Sequence, residues 1–412
     1  MAPYDGPVTG PLPTDPLEGT VLDGRYLVEA RIATGGMSTV YRGTDNRLDR
    51  PVALKVMDSR YAGDQQFLSR FQLEARAVAR LKDPGLVAIY DQGPGDQRGG
   101  LPYLVMELVD GGTLRELLRE RGPMPPHAAA AVLRPVLGGL AVAHRAGLVH
   151  RDVKPENVLI SDEGEVKLAD FGLVRAVAEA GITSTSVILG TAAYLSPEQV
   201  SSGNAGPRSD VYSVGILAYE LLTGVTPFTG DNALTVAYQR MDNDVAAPSS
   251  VIDGVPMQFD ELVLRATARD PADRYADARE MKADLDAIAA ELNLPAFRVP
   301  APRNSAQHTS AKLYHSRDGG SRVGEAEPVR NPTRQFTRDD WPEPATAPVL
   351  GGDESYSPAG QFAGIEISEF AYARARGRRM MLFWLAIVLI VTGAVAAAAW
   401  TVGSNLSALL SS

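Results

Sequence analysis

The chain has 412 residues, a length that fits two or three ordinary domains with full-sized cores. Its formal net charge of −10 argues against a general nucleic-acid-binding protein, which needs clustered lysine and arginine to contact phosphates. Cysteine is absent, which excludes disulfide bonds, a thiolate nucleophile and a zinc–thiolate site, and the five histidines include no pair with metal-ligand spacing.

The first 20 residues are rich in proline, glycine and aspartate, and this composition predicts a disordered leader. The segment has neither the basic region nor the apolar region of a secretory signal. We therefore predict that the N-terminal part of the chain stays in the cytoplasm.

Two lobes are predicted from Val21 to Leu292. Apolar alternation predicts five strands, with one amphipathic helix, QFLSRFQLEARAVARL, between the third and the fourth. After Gly111 and Gly112 the pattern becomes helical and includes the long apolar segment VYSVGILAYELLTG. The expected fold class is therefore α+β, with a small β-rich N-terminal lobe and a larger helical C-terminal lobe.

The rest of the chain changes character twice. Residues 293–379 have no sustained period and are predicted to be a flexible cytoplasmic linker, because they cannot bury enough apolar area to offset their ordering entropy. Residues 380–402 contain no charged residue and are long enough to cross a bilayer as a helix. Four arginines directly precede this segment and no basic residue follows it, so the positive-inside rule predicts that only the tail 403–412 lies outside.

The segment HRDVKPENVLI, residues 150–160, and the triplet Asp170-Phe171-Gly172 carry the strongest chemical signal. They supply two carboxylates, an ammonium group and an amide in a fixed order. Phosphoryl transfer needs this set: a base, a cation for the phosphate and oxygen ligands for Mg²⁺. By these motifs the chain resembles the Hanks-type protein kinases, and the lysine two residues after Asp152 is typical of their serine/threonine branch. The resemblance covers about residues 21–291 and implies the bilobal protein-kinase fold.

The resemblance assigns roles to the residues of the catalytic segment. Asp152 would accept the proton of the substrate hydroxyl, and Lys154 would neutralise the γ-phosphate. Asn157 and Asp170 would bind Mg²⁺. Thr191 matches the threonine that contacts the catalytic aspartate and lysine in this branch, so it is also expected in the active site.

The nucleotide site follows from the same resemblance. The family covers the phosphates with a G-x-G-x-x-G-x-V loop, and the matching stretch is ATGGMSTV, with Ala33, Gly35 and Ser38 at the glycine positions. Ala33 and Ser38 depart from the family pattern. Lys55 would bind the α- and β-phosphates, with Glu74 as its ion-pair partner. The adenine would lie among three apolar side chains, those of Val40, Ala53 and Leu159. Its edge would form hydrogen bonds with the backbone of Glu107 and Val109.

The loop that ends at Ser-Pro-Glu, residues 196–198, resembles the activation segment of bacterial transmembrane kinases. Thr183 and Thr185 match the autophosphorylated pair of those enzymes, and Arg151 is placed to bind a phosphorylated loop. Structural roles are implied for three more residues: Glu198 would pair with Arg274, and Asp210 would brace the backbone of the catalytic loop.

These features predict a single-pass serine/threonine protein kinase of the actinobacterial receptor type, without an external sensor domain. It would sit in the cell membrane and use ATP with Mg²⁺, or Mn²⁺, to phosphorylate itself and cytoplasmic proteins in signalling. Kinases of this group pair through the N-terminal lobe, which predicts a homodimer. Two alternatives stay open: a weakly active scaffold that recruits phosphothreonine-binding proteins, and a small-molecule phosphotransferase, although such enzymes lack a long activation segment ending in Ser-Pro-Glu.

Overall fold

The computed structural model describes residues 15–61, 65–93, 100–171, 192–230 and 232–311. The predicted membrane span 380–402, the tail and most of the predicted linker lie outside these ranges. So do three predicted site residues, Thr183, Thr185 and Thr191. The two predicted lobes lie largely within the described residues.

A six-stranded antiparallel sheet and one helix form the N-terminal lobe, with the strands in the order β1-β2-β3-β4-β6-β5. The strands are β1 Val21–Leu22, β2 Tyr26–Thr34, β3 Ser38–Asp45, β4 Arg50–Met57, β5 Ile89–Gly93 and β6 Tyr103–Met106. The helix is α1, Gln65–Val78. The two-residue β1 is an addition to the five strands that the sequence predicts.

The two faces of this sheet belong to different apolar clusters. In β4, Val52, Leu54 and Val56 pack on one face with tyrosines of neighbouring strands. Ala53 and Met57 pack on the other face, in a cluster that includes residues of α1. Because side chains alternate along a strand, Lys55 shares the face of Ala53 and Met57. The sheet therefore directs the predicted phosphate-binding lysine toward the cleft.

Helices form most of the C-terminal lobe: α2 Leu114–Arg121, α3 Pro126–Arg145, α4 Pro197–Ser202, α5 Pro207–Thr223, α6 Ala233–Asp242, α7 Met257–Ala266 and α8 Ala278–Glu291. Helix α5 is buried from Ser209 to Thr223, as its apolar sequence predicts, and the other helices pack around it. A three-stranded antiparallel sheet borders the cleft, with strands β7 Gly111–Thr113, β8 Val158–Ser161 and β9 Val166–Leu168.

Helix α3 is the one helix among the described residues that is long and apolar enough to cross a membrane. Its side chains Val132, Leu133, Val136, Leu137 and Leu140 are all fully buried in the core of the lobe. Side chains buried in this way are typical of a core helix in a globular domain.

The ordered part of the chain extends beyond both predicted boundaries. At the N-terminus, Asp15 bonds the Tyr41 hydroxyl at 3.2 Å and Leu17 packs on the sheet, so residues 15–20 are not part of a disordered leader. At the other end, residues 293–311 lie against the C-terminal lobe, with Val299 and Ser305 buried. The prediction of a flexible linker is therefore wrong for residues 293–311. Backbone hydrogen bonds and proline packing hold this segment, although its sequence shows no sustained helical or strand period.

Candidate active site

The catalytic loop lies between α3 and β8, and its functional side chains contact one another. Asn157 Nδ2 donates to the backbone oxygen of Asp152 at 2.7 Å and to Asp152 Oδ2 at 3.0 Å. Lys154 Nζ lies 2.8 Å from the same Oδ2, and the lysine is buried. The structure thus brings together three of the residues that the sequence assigns to phosphoryl transfer, around one carboxylate.

The backbone of this loop is fixed by Asp210, in the first turn of α5. Asp210 Oδ2 accepts the N–H of His150 at 2.8 Å, and Oδ1 accepts the N–H of Arg151 at 2.7 Å. Arg151 has a φ of 70°, a conformation that costs a non-glycine residue of order 1–3 kcal/mol and that these bonds hold in place. The predicted bracing role of Asp210 is confirmed.

Two histidines support the same loop as neutral donors. His150 Nδ1 accepts the N–H of Asp152 at 3.3 Å, so its Nε2 carries the hydrogen that it donates to Ala169 O at 2.9 Å. His144 Nδ1 likewise accepts a backbone N–H, and its Nε2 lies 2.9 Å from Asp210 Oδ2. Neither ring has a role predicted from the sequence, although His150 lies within the catalytic motif and His144 lies shortly before it.

Asp170 lies in the turn that follows β9 and faces the N-terminal lobe. Its φ of 61° is again unusual, and the turn is held by a hydrogen bond of 2.8 Å from Ala169 N to Asn157 O. Asp170 Oδ1 lies 2.7 Å from Lys55 Nζ. Burial acts to raise the pKa of Asp170, but the ammonium group of Lys55 outweighs it and the pKa is lowered. Asp170 is therefore ionised at neutral pH, as a metal ligand must be.

The predicted ion-pair partner of Lys55, Glu74, is not the carboxylate that Lys55 contacts. The structure pairs Lys55 with Asp170, from the opposite lobe. Glu74 lies on α1 between the buried Phe71 and Val78. Lys55 lies on the face of β4 that both α1 and the cleft border, so the local sequence cannot determine which carboxylate the ammonium group contacts.

Apolar residues of both lobes meet at the predicted adenine site. Val40 of β3 and Ala53 of β4 belong to the same cluster as Leu159 of β8. Met106, which pairs with Ala53 across the sheet, belongs to this cluster, and Val109 packs against it. The three predicted wall residues are thus brought together from two consecutive strands of the N-terminal lobe and one distant strand of the C-terminal lobe.

The segment after β6 connects the lobes and borders this apolar cluster. The N–H of Glu107 donates to Ala88 O at 2.9 Å, and the Glu107 carboxylate lies 2.7 Å from Lys167 Nζ. The Glu107 backbone can therefore bond a purine edge only through its carbonyl oxygen. Val109, two residues further, packs against the apolar cluster, and its backbone remains the second predicted partner of the purine.

The hairpin between β2 and β3 forms the loop that departs from the family's glycine pattern. Gly35 N donates to Ser38 O at 2.7 Å, and a Cβ on residue 35 would lie only 3.3 Å from that oxygen. Ala33 pairs with Val40 inside the sheet, and Ser38 begins β3. The two substitutions therefore fall on strand backbone, where a side chain is tolerated, while the tight turn keeps its glycine. Met37, which is buried, packs into the cleft cluster.

The predicted ion pair between Glu198 and Arg274 is confirmed. Arg274 Nη1 and Nη2 lie 2.9 and 3.0 Å from the two carboxylate oxygens of Glu198, in a bidentate arrangement. Burial acts to raise the pKa of Glu198, but Arg274 outweighs it and the pKa is lowered. This pair joins α4, at the end of the activation segment, to the loop before α8.

A second buried polar network was missed by the sequence analysis. Arg115 of α2 lies 2.8 Å from Glu156 in the catalytic loop and 2.5 Å from Glu220 of α5. It also donates to the Tyr194 hydroxyl at 2.6 Å. The sequence signal was Glu220, the one charged residue between positions 211 and 223 of α5. A buried carboxylate requires a charged or donating partner.

The two predicted metal ligands have the chemistry that Mg²⁺ needs. Among the described residues, no three His, Cys, Asp or Glu side chains form a metal cluster. A nucleotide-dependent Mg²⁺ needs fewer protein ligands, since phosphates and waters complete its octahedral shell. Asn157 uses its amide nitrogen on Asp152, which leaves its amide oxygen as a ligand, and Asp170 supplies an ionised carboxylate.

Comparison with known proteins agrees with this geometry. The sequence pattern described as "Protein kinase domain" matches residues 26–284. The chain belongs to the protein kinase family. It is 71% identical over 397 residues to the serine/threonine-protein kinase PknL of Mycobacterium tuberculosis, an alignment that covers 96% of this chain and 98% of that protein. The chain is accordingly a serine/threonine-protein kinase, with an activity that uses ATP and a divalent metal ion.

Two more distant relatives match about two thirds of this chain. The serine/threonine-protein kinase PknB of Mycobacterium leprae is 45% identical over 266 residues, which cover 64% of this chain and 43% of that kinase. The crystal structure of the Mycobacterium tuberculosis PknI kinase domain superposes with a TM-score of 0.51 at 27% identity, over 66% of this chain and 98% of that domain. The bilobal kinase fold predicted from the sequence is thus confirmed.

Proposed function

We propose that this serine/threonine kinase is anchored in the cell membrane by residues 380–402, with its two lobes in the cytoplasm. There it phosphorylates its own activation segment and cytoplasmic proteins, in a signalling role. The proposed catalytic activity is supported by the contacts that Lys154 and Asn157 make with the Asp152 carboxylate. The anchor is supported by the uncharged span and by the arginines that precede it.

In the proposed reaction, Asp152 orients the hydroxyl of the substrate and accepts its proton. Asp152 Oδ2 is held by Lys154 and Asn157, so we assign proton acceptance to Oδ1. The hydroxyl oxygen forms a bond to the γ-phosphorus, the bond from that phosphorus to the bridging oxygen breaks, and ADP leaves. Lys154 neutralises charge on the transferred phosphoryl group. Asn157 and Asp170 would hold Mg²⁺, which would neutralise further phosphate charge.

The proposed nucleotide site uses both lobes. Lys55 binds the α- and β-phosphates, and the backbone at Gly35 covers them. The purine lies among the apolar side chains described above, Val40, Ala53 and Leu159, with its edge toward the backbone of Glu107 and Val109. Mn²⁺ shares the preference of Mg²⁺ for oxygen ligands, and we propose that it can replace Mg²⁺ here.

Control of the activity is proposed to lie in the activation segment. Thr183 and Thr185 are the proposed sites of autophosphorylation, and Arg151 is the proposed partner of the added phosphate charge. Thr191 is proposed to contact Asp152 and Lys154. A homodimer formed through the N-terminal lobe would allow the reaction to occur in trans.

The test is to incubate the full chain with Mg²⁺ and ATP and to map phosphate by mass spectrometry, beside an Asp152→Asn variant. We expect phosphate on Thr183 and Thr185 in the parent and none in the variant. Phosphate on other sites alone would contradict the proposed switch. Incorporation in neither protein would contradict autophosphorylation.

The anchor and the dimer are tested separately from the chemistry. We expect the full chain to sediment with membranes after alkaline washing, and a variant that lacks residues 380–402 to stay in the supernatant. A parent protein found in the supernatant would contradict the anchor. Light scattering of the detergent-solubilised chain should give a mass of two copies, and a monomer at all concentrations would contradict the dimer.

A further inference from the structure

Residues 297–311, which we call the strap, follow α8 and run along the side of the C-terminal lobe toward the segment that joins the lobes. Val299, Pro302 and Ser305 are buried at every third position, which matches the period of a polyproline II segment. A single short helix, 306–311, follows. The strap lies beyond residue 284, where the match to the family pattern ends.

The strap packs on glycines of β7. Ser305 Oγ donates to Gly111 O at 2.5 Å, although the two residues are 194 positions apart in the sequence. A Cβ on Gly112 would lie 2.4 Å from Pro302 and 2.6 Å from Ser305, distances that real Cβ atoms essentially never show. The missing side chain of Gly112 therefore creates the space that the strap occupies, while Gly111 contributes its carbonyl oxygen to Ser305.

Carboxylates of the C-terminal lobe hold the strap by hydrogen bonds from its backbone and side chains. The N–H of Ala306 donates to Glu116 Oε1 at 2.9 Å, and the N–H of Arg303 donates to Glu120 Oε2 at 2.7 Å. His308 Nε2 lies 3.1 Å from Asp162, in the turn between β8 and β9. The strap thus bonds α2 and the β8–β9 turn in addition to β7.

The same contacts reach the nucleotide site. Gln307 Nε2 donates to Asp110 Oδ1 at 3.3 Å, and Arg42 of β3 donates to the same oxygen at 3.0 Å. Asp110 directly follows Val109, whose backbone faces the proposed purine edge. In the small sheet, Thr113 pairs with Leu159, the floor of the apolar cluster. The strap therefore bonds the connection between the lobes, and one of its contacts is shared with the N-terminal lobe.

We propose that the strap is a positioning element of the nucleotide site: it holds Asp110 to Thr113 so that the backbone at Val109 and the side chain of Leu159 keep the geometry that binds ATP. The strap contacts β7, α2, Asp110 and the β8–β9 turn, and none of its described contacts involves Asp152 or Lys55. Its effect should therefore fall on the binding of ATP and not on the transfer step. The inference does not depend on the membrane anchor.

The experiment uses the full chain in detergent, with dephosphorylated casein as a generic protein acceptor. Gly112→Ala displaces the strap from the side of β7, and Ser305→Ala removes the hydroxyl from the strap itself. Asn304→Ala is the matched control, because Asn304 is an exposed residue of the same segment. The readouts are the KM for ATP, kcat, the melting temperature and the amide exchange of residues 299–311.

We expect both variants to raise the KM for ATP by about three- to tenfold, the effect of roughly one lost hydrogen bond, with kcat changed less than twofold. Amide exchange of the strap should rise in both variants, and the control should match the parent. Faster exchange with an unchanged KM would overturn the proposal, and so would an increase in kcat, which would make the strap inhibitory. Rapid exchange of 299–311 in the parent would show that the strap does not dock. Should Gly112→Ala fail to fold, Ser305→Ala alone carries the same test.

Discussion

The two lobes hold their catalytic groups in different ways. In the C-terminal lobe, Asp152 is positioned by Asn157 and Lys154, and its loop is bonded to Asp210 on the fully buried helix α5. In the N-terminal lobe, Lys55 extends from a sheet that lies between two separate apolar clusters, and its described partner is Asp170 of the other lobe. The base is thus fixed within one packed unit, whereas the phosphate-binding lysine depends on how closely the lobes approach.

This difference separates two kinds of substitution. A change at Asp152 should alter the chemistry and leave the stability of the lobe almost intact, because the loop is held by other residues. A change at Lys55 should alter the response of the protein to nucleotide. A change in the ion pairs that join the helices of the C-terminal lobe should lower stability first.

The largest expected effect tests the first of these statements. Asp152→Asn should lower kcat by about 10²–10⁴, the usual contribution of a general base, with an unchanged melting temperature. Asp253→Asn, at an exposed position of the same lobe, is the control and should leave kcat unchanged. A residual kcat within tenfold of the parent would contradict the assignment of Asp152 as the base.

The second effect concerns the stability of the C-terminal lobe. Arg274→Met breaks a buried pair and leaves the Glu198 carboxylate without its cationic partner, so the free energy of unfolding should fall by about 3–5 kcal/mol. Arg269→Met is the matched control, because its pair with Asp244 is exposed and should contribute about 0–1 kcal/mol. Urea denaturation measures the free energy of unfolding of both variants. Equal losses of stability would show that burial does not determine how much an ion pair contributes.

The third effect tests the N-terminal lobe. The parent should gain about 2.7 kcal/mol of stability from Mg·ATP at one hundred times its dissociation constant. Lys55→Met should lose most of this gain, while its melting temperature without nucleotide stays close to that of the parent. Suppose instead that Lys55→Met without nucleotide loses as much stability as Arg274→Met. The ion pair across the cleft would then hold the fold together, and the proposed difference between the lobes would be wrong.

The smallest effect is a dependence on pH. The pKa of Glu198 is lowered in the folded protein, so its contribution to stability is complete above the ordinary glutamate pKa of about 4.3 and is lost as the pH falls through the lower, folded value. The difference in melting temperature between the parent and Glu198→Gln should therefore be constant near neutral pH and shrink in acid. A melting-temperature difference that grows in acid would show that the pKa of Glu198 is raised in the folded protein and not lowered.

Residues within a few positions of each other, or in regular strands, were predictable from the sequence. Asp152, Lys154 and Asn157 lie on one short loop, so their order alone implies that they meet. Val40 and Ala53 could be placed because strands alternate. The walls of the adenine site then follow from a resemblance that covers both lobes.

Features that depend on the relation between distant elements were not predictable in the same way. The sequence motifs pointed only to Glu74 as the partner of Lys55, whereas the placement of the two lobes pairs Lys55 with Asp170. The sequence of the strap shows no sustained period of helix or strand, although its last six residues form a short helix. It is held by backbone hydrogen bonds to side chains almost two hundred residues earlier, such as that from Ala306 to Glu116, and no local composition reports such bonds.

Gly112 offers a way to trace the strap through evolution. Because even a methyl group at this position would overlap Pro302 and Ser305, a descendant that acquires any side chain there must release the segment or lose the proline and the serine together with the glycine. The three positions are therefore expected to change as a set. In genomes, a lineage that keeps all three would be recognisable as one in which the start of the linker still belongs to the catalytic unit.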